Sequence, residues 1–194
     1  SPAADLLWSG NTLVNTAVAR NLPGIRQQLE QNGISLNQSQ WAAWEASLNH
    51  RLQPVWGPPG TGKSRILRAV VVGVVVDAVQ RNIPLRLLVC APTYNALDNV
   101  LFESVADISQ MVQHPDLQCV RIRSSYRPID QNVPSGLDLE LNKWNPTIAV
   151  QQLRQRLENG TGITVVGATP EQTHNLLVTG NAAARQEFFD CIIL

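Results

Sequence analysis

Residues 57–64 read Gly-Pro-Pro-Gly-Thr-Gly-Lys-Ser and fill the pattern Gly-x-x-x-x-Gly-Lys-Ser. Gly57, Gly60 and Gly62 let the backbone curl until successive N–H groups point inward, which is how a loop cradles phosphate oxygens. A helix opening near Lys63 adds the positive end of its dipole. Lys63 then reaches the β and γ phosphates, and the Ser64 hydroxyl is placed to ligate the Mg2+ that accompanies a triphosphate. The spacing predicts a nucleoside triphosphate site lined by Gly57, Pro58, Pro59, Gly60, Thr61, Gly62, Lys63, Ser64 and Arg65, with Lys63 and Ser64 as the groups bearing on chemistry.

A match to this motif is weighed by its context, a strand before the loop and a helix after it. Arg51–Trp56 reads as a short strand, and Ser64–Gln80 reads as a buried helix. Further strand-like runs fall at 85–91, 117–122, 162–167 and 188–194. Between them, Leu97, Val100, Leu101, Val105 and Ile108 share one helical face, and Val150, Leu153 and Leu157 share another. This alternation predicts an α/β fold, a parallel sheet flanked by helices. Asn145 is expected to cap the later helix with Pro146 at its first position, and Gly160 to end it. Ser124–Trp144, with Pro128, Pro134 and Gly136, shows no period and reads as the start of an insertion over about 124–159. Residues 1–35 read as a helical lead-in to the domain at 36–194, with Asn32-Gly33 as a turn.

The chain has 194 residues, 44% of them hydrophobic, which suffices for one core. Fifteen basic and fifteen acidic residues cancel, so any nucleic-acid contact must be a local patch. The run Ala69–Val76 is bracketed by Arg68 and Asp77 and is far shorter than the roughly 20 residues a membrane span needs. It reads as a core helix, and no membrane partner is expected. The N-terminus carries no secretion signal, so an intracellular protein is expected. Cys90, Cys119 and Cys191 lack metal-type spacing and read as buried reduced thiols. The chain opens without methionine and stops within the apolar run Phe188–Leu194, the pattern expected of a fragment.

Three other stretches carry possible chemistry. Asn37 and Gln40 have capping-box spacing ahead of a helix bearing Trp41, Trp44 and Leu48. The Gln40 amide also matches an adenine edge, donor to acceptor and acceptor to donor. Thr93 or Asn95 can cap the helix after Ala91-Pro92, and Thr169 can cap the helix holding Gln172. The same hydroxyls and free N–H groups suit a nucleic-acid phosphate. Arg121, Arg123, Tyr126 and Arg127 form a basic cluster around an aromatic, read either as a solvated strand end or as a backbone track with a stacking ring.

In order and spacing, these elements resemble the N-terminal RecA-like domain of superfamily 1 DNA/RNA helicases, in the branch of the nonsense-mediated-decay helicase and senataxin. The matching pieces are Leu36–Gln40, Gly57–Ser64, Ala91–Val100, Val165–Thr169 and Phe188–Leu194. The resemblance implies a P-loop NTPase that uses ATP and Mg2+, with Gln40 reading adenine. It also implies that Pro92, Thr93, Asn95, Ala168 and Thr169 line a single-stranded DNA or RNA track. The insertion would help grip the strand. An acidic pair would follow Leu194, and a second RecA-like domain of the same polypeptide would complete catalysis, so the 194-residue chain alone is expected to turn over little ATP. Tyr94 and His174 match no motif position.

Two other classes compete with a helicase motor. A protein-remodelling AAA+ ATPase often shares the Gly-Pro-Pro-Gly-Thr-Gly-Lys loop, but places far fewer residues between it and its acidic strand than lie between Lys63 and Leu194. A nucleotide-gated binding module without hydrolysis shares the loop and lacks only the later machinery.

Overall fold

A computed structural model describes residues 20–50, 52–178 and 188–194. The early part of the lead-in, residues 1–19, lies outside the described residues, as does Arg51. The helices are α1 (Leu22–Gln31), α2 (Gln38–Asn49), α3 (Lys63–Gln80), α4 (Tyr94–Met111), α5 (Ile148–Asn159) and α6 (Pro170–Val178). The strands are β1 (Leu85–Cys90), β2 (Leu117–Ser124), β3 (Asp138–Leu141), β4 (Ile163–Ala168) and β5 (Cys191–Ile193). All five form one parallel sheet in the order β3-β2-β4-β1-β5.

Strand alternation divides the core in two. From β1 and β4, Leu85, Leu87, Val89, Ile163 and Val165 point to the layer built by α1 to α4. Leu88, Cys90, Val166 and Ala168 point to the opposite layer, with α5 and α6. A parallel sheet covered on both faces must be apolar on both, and β4 is buried at every residue.

The apolar run around Val72 is indeed a core helix, α3. Its Asp77 is buried but paired with Arg20 at 3.3 Å and Arg81 at 3.1 Å. Among the described residues, no helix is long and apolar enough to cross a membrane. Trp41 and Trp44 are core side chains, edge-to-face at 5.2 Å. The Trp44 indole N–H donates to the Ala69 carbonyl at 2.9 Å, and a Cβ on Gly73 would lie 2.9 Å from that nitrogen. Gly73 is therefore what lets α2 sit against α3. Burial pushes the thiols of Cys90, Cys119 and Cys191 up, Cys119 to about 11, so they stay protonated and inert.

Three local expectations are corrected. The segment 52–56 joins no strand ladder among the described residues; Val55 packs on the core, while Leu52 and Trp56 are exposed and Pro54 removes a ladder donor. Within the stretch read as aperiodic, β3 pairs with β2 over Arg121–Ser124 and Asp138–Leu141. The α5 cap is Thr147, whose hydroxyl accepts from Val150 N, so Asn145 and Pro146 lie outside the helix; Gly160 ends it at φ 61° as expected.

Candidate functional site

The direction of α3 follows from chain length. Only Arg81–Pro84 separate its end from β1, so α3 ends at the amino edge of the sheet and starts toward the carboxyl edge. Eighteen residues at 1.5 Å each give about 27 Å, enough to cover the length of β1. The loop before Lys63 and the helix start after Thr93 therefore share the carboxyl side, where open α/β sheets place ligands.

The start of α3 is unlike the others. Side chains of Asn21, Asn37, Thr93 and Thr147 cap α1, α2, α4 and α5. At α3 the cap is Gly62, left-handed at φ 82°, and no side chain covers the first-turn N–H groups. Those donors and the helix dipole are left for an anion. Gly60 is also at φ 82°, so the curled loop needs glycine at both positions.

Lys63 lies over this loop, its ammonium donating to the carbonyls of Gly57 at 2.6 Å and Pro58 at 2.9 Å. Pro58 also accepts from the Thr61 hydroxyl at 2.8 Å. Pro58, Pro59, Gly60, Thr61, Ser64 and Arg65 are exposed, and Gly57, Gly62 and Lys63 are half-buried. The donor set therefore fits a triphosphate, which brings Mg2+ with it. Among the described residues, no cluster of three or more His, Cys, Asp or Glu side chains fits a metal. The exposed Ser64, in the first turn of α3, is the candidate ligand read from the motif.

Gln40 realises the cap and reaches the loop at once. Its amide oxygen accepts from Asn37 N at 2.9 Å while the Asn37 side chain accepts from Gln40 N at 2.9 Å. Its amide nitrogen donates to the Thr61 carbonyl at 3.1 Å. These bonds use one N–H and one lone pair of the amide, which leaves its second N–H and second lone pair for a base edge. Gln40→Ala is expected to weaken ATP about fivefold to tenfold, the worth of one or so hydrogen bonds, and GTP much less. Equal losses in parallel titrations would leave only the capping and loop-tying roles.

A family model described as an AAA domain matches residues 35–163, more than half of the sequence. The chain belongs to this AAA-domain family. The family is helicase-like, and its members are P-loop ATPases, which accords with the five-stranded parallel sheet. No curated protein and no solved structure matches the chain.

In this AAA domain the other predicted site residues end neighbouring strands. Cys90 of β1 and Ala168 of β4 are register partners, so Thr93 and Thr169 follow adjacent strand ends. Pro92, Thr93 and Asn95 are exposed. The Thr93 hydroxyl caps α4 by accepting from Ala96 N at 3.3 Å, and that of Thr169 accepts from Gln172 N at 3.4 Å. Ala168 is fully buried, and Thr169 is 8% exposed. At 0% exposure neither the methyl nor the backbone of Ala168 reaches the surface, so this residue backs the predicted track rather than lining it.

In the basic cluster Arg121 and Arg123 are neither solvated nor free, whereas Arg127 is half-buried and Tyr126 is exposed. Arg121 is fully buried, bidentate to Asp98 of α4 at 2.7 and 2.8 Å and bonded to Asp138 of β3 at 2.8 Å. Arg123 bonds Asp138 at 2.6 Å and Glu140 at 2.8 Å, and also donates to the Arg127 carbonyl. Tyr94 sits between the guanidinium groups of Arg121 at 4.8 Å and Arg127 at 4.2 Å, and its hydroxyl accepts from Ser124 N at 3.1 Å. Burial works to lower the pKa of Arg121, but the bonds and charges of Asp98 and Asp138 outweigh it and the group stays charged. Two arginines counted toward a phosphate track thus hold the sheet edge together. Sequence reasoning missed this; the signal available was the Asp138-Leu-Glu-Leu141 alternation, which puts two carboxylates on one face of a strand.

Proposed function

We propose that the chain is the ATP-binding motor domain of an ATP-dependent helicase or translocase that acts on single-stranded DNA or RNA, in the branch of the nonsense-mediated-decay helicase and senataxin. The observation that carries this reading is the pairing of an uncapped phosphate-loop helix with two hydroxyl-capped helix starts, at Thr93 and Thr169, on adjacent strand ends. Backbone N–H groups and hydroxyls at helix starts are standard phosphate contacts for a strand, and they fix its position without reading its sequence.

Nucleotide and strand are coupled through α3 and α4 in this reading. Arg68 of α3 grips Asp107 of α4 at 2.5 and 2.7 Å and Glu103 at 2.7 Å. The helix that begins at the triphosphate and the helix that begins at the track are therefore joined by ion pairs. A second RecA-like domain of the same polypeptide would supply the positive charge that stabilises phosphoryl transfer.

Alanine at Thr93 and Thr169 together is the test. Single-strand affinity at low salt and strand-stimulated hydrolysis by the intact polypeptide should fall about tenfold or more, as expected for two lost phosphate contacts, while ATP binding stays within twofold. Unchanged strand affinity would return both residues to plain capping.

A further inference from the structure

We propose that the exposed rings of Tyr126 and Trp144 stack unpaired bases of a single strand, extending the Thr93–Thr169 track across β2 and β3; this rests on the single-strand reading above. The sheet order sets the path. Thr93 follows β1, Thr169 follows β4, Tyr126 follows β2 and Trp144 follows β3, so four neighbouring strands each present a residue at the carboxyl edge. At roughly 4.8 Å between strands, the line from β1 to β3 is about 14 Å long.

Tyr126 is 86% exposed and Trp144 80% exposed, although such rings are normally packed. Both line one groove, shared with Asn142 and Gln172. Their loops are held by polar bonds. The Asn142 side chain accepts from Trp144 N at 3.0 Å and Asn145 N at 3.2 Å, and Ser125 N donates to the Leu141 carbonyl at 3.3 Å, tying the two loops together. Tyr126 N donates to the Ser124 hydroxyl at 3.3 Å. These bonds fix the backbone that carries the rings, which lowers the entropy cost of ordering the loops on binding.

The groove also holds an unanswered acceptor. Gln172 is 3% exposed, and its amide oxygen has no donor within hydrogen-bond distance. It lies in the first turn of α6, the helix that Thr169 begins, so it links the hydroxyl track to the aromatic groove. An exocyclic amino group or ring N–H of a base supplies the missing donor.

Charge separates a stacking site from a phosphate site here. Lys143 lies 4.9 Å over the Trp144 ring, Glu171 lines the same groove, and Arg121 and Arg123 are neutralised by carboxylates. The patch has little net attraction for phosphate, so its contribution should come from base faces and carry little salt dependence.

The experiment compares a fluorescent oligothymidylate with an abasic oligomer of the same length, by anisotropy over a range of salt. The chain is expected to bind the thymidylate about tenfold tighter than the abasic oligomer, the scale of one stacked base. Trp144→Ala and Tyr126→Ala should each remove most of that preference, leaving abasic binding and the salt slope unchanged, while Trp144→Phe retains it. Alanine variants that keep the preference, or that weaken both oligomers equally, would overturn the stacking assignment and leave the track intact. Failure of the unmodified chain to bind either oligomer at low salt would overturn the single-strand reading together with this inference.

Discussion

Lys63→Ala should abolish most of the stabilisation that ATP and Mg2+ give this chain while leaving its nucleotide-free melting temperature nearly unchanged. In the intact loop, the Lys63 ammonium is held by the Gly57 and Pro58 carbonyls at a half-buried position over the uncapped start of α3. Removing it frees two loop carbonyls that water can reach, which costs at most about 1 kcal/mol. For a bound triphosphate the loss is larger. Charge-assisted bonds to the β and γ phosphates are worth about 1.5–3 kcal/mol each, and two of them lost weaken binding on the order of a hundredfold or more. At ATP a hundred times its dissociation constant, the unmodified chain gains about 2.7 kcal/mol, or roughly 5–10 °C in a domain of this size. The variant at the same ATP should gain about 0.4 kcal/mol, close to 1 °C. A full thermal shift in the variant would mean that Lys63 does not reach the phosphates.

The phosphate loop was legible because each of its residues is required by type. Gly60 and Gly62 sit at positive φ, Lys63 supplies the charge, and no other residue pattern does the same work at that spacing. The capping box at Asn37 and Gln40 was legible for the same reason, since its partners are three residues apart. The hydroxyl caps at Thr93 and Thr169 were legible from their spacing to the helix starts, and the structure shows both caps.

What was hidden depends on pairing between distant residues. The four residues of β3 are too few to outweigh Pro134 and Gly136 just before them, and their reason to be a strand lies in Arg121 and Arg123 of β2. The segment 52–56 looked like a strand from its apolar residues, yet a strand is defined by its ladder, and Leu52, Pro54 and Trp56 find none among the described residues. Tyr94 had no motif role because its partners, Arg121, Arg127 and Ser124, are 27 or more positions along the chain. The α5 cap moved from Asn145 to Thr147 because the Asn142 side chain takes the N–H of Asn145 and folds that stretch into a loop.

Arg121→Ala is the stability counterpart of the Lys63 variant, and it should cost about 3–5 kcal/mol. Arg121 has no solvent contact, and its guanidinium satisfies both oxygens of Asp98 and one of Asp138. Truncation leaves those carboxylates half-buried beside a cavity, where neither water nor another cation fully replaces the lost donors. Against a total stability of about 5–15 kcal/mol, that loss removes between about a fifth and nearly all of it. Urea denaturation measures it directly, as a lower midpoint with an unchanged slope. Arg121→Lys keeps the charge but not the planar fork, and should recover part of the loss. Removing Asp98 as well should cost less than the sum of the two single changes, because the double variant no longer buries the orphaned carboxylate. The effect must reach the track too. Asp98 and Tyr94 lie in the first two turns of α4, so releasing Arg121 loosens the helix start that Thr93 caps. At temperatures where Arg121→Lys remains folded, its single-strand affinity should therefore fall more than its ATP affinity. An unfolding free energy for Arg121→Ala within about 1 kcal/mol of the unmodified chain would show that β2 and β3 are held by packing alone, and that the ion pairs only decorate the edge.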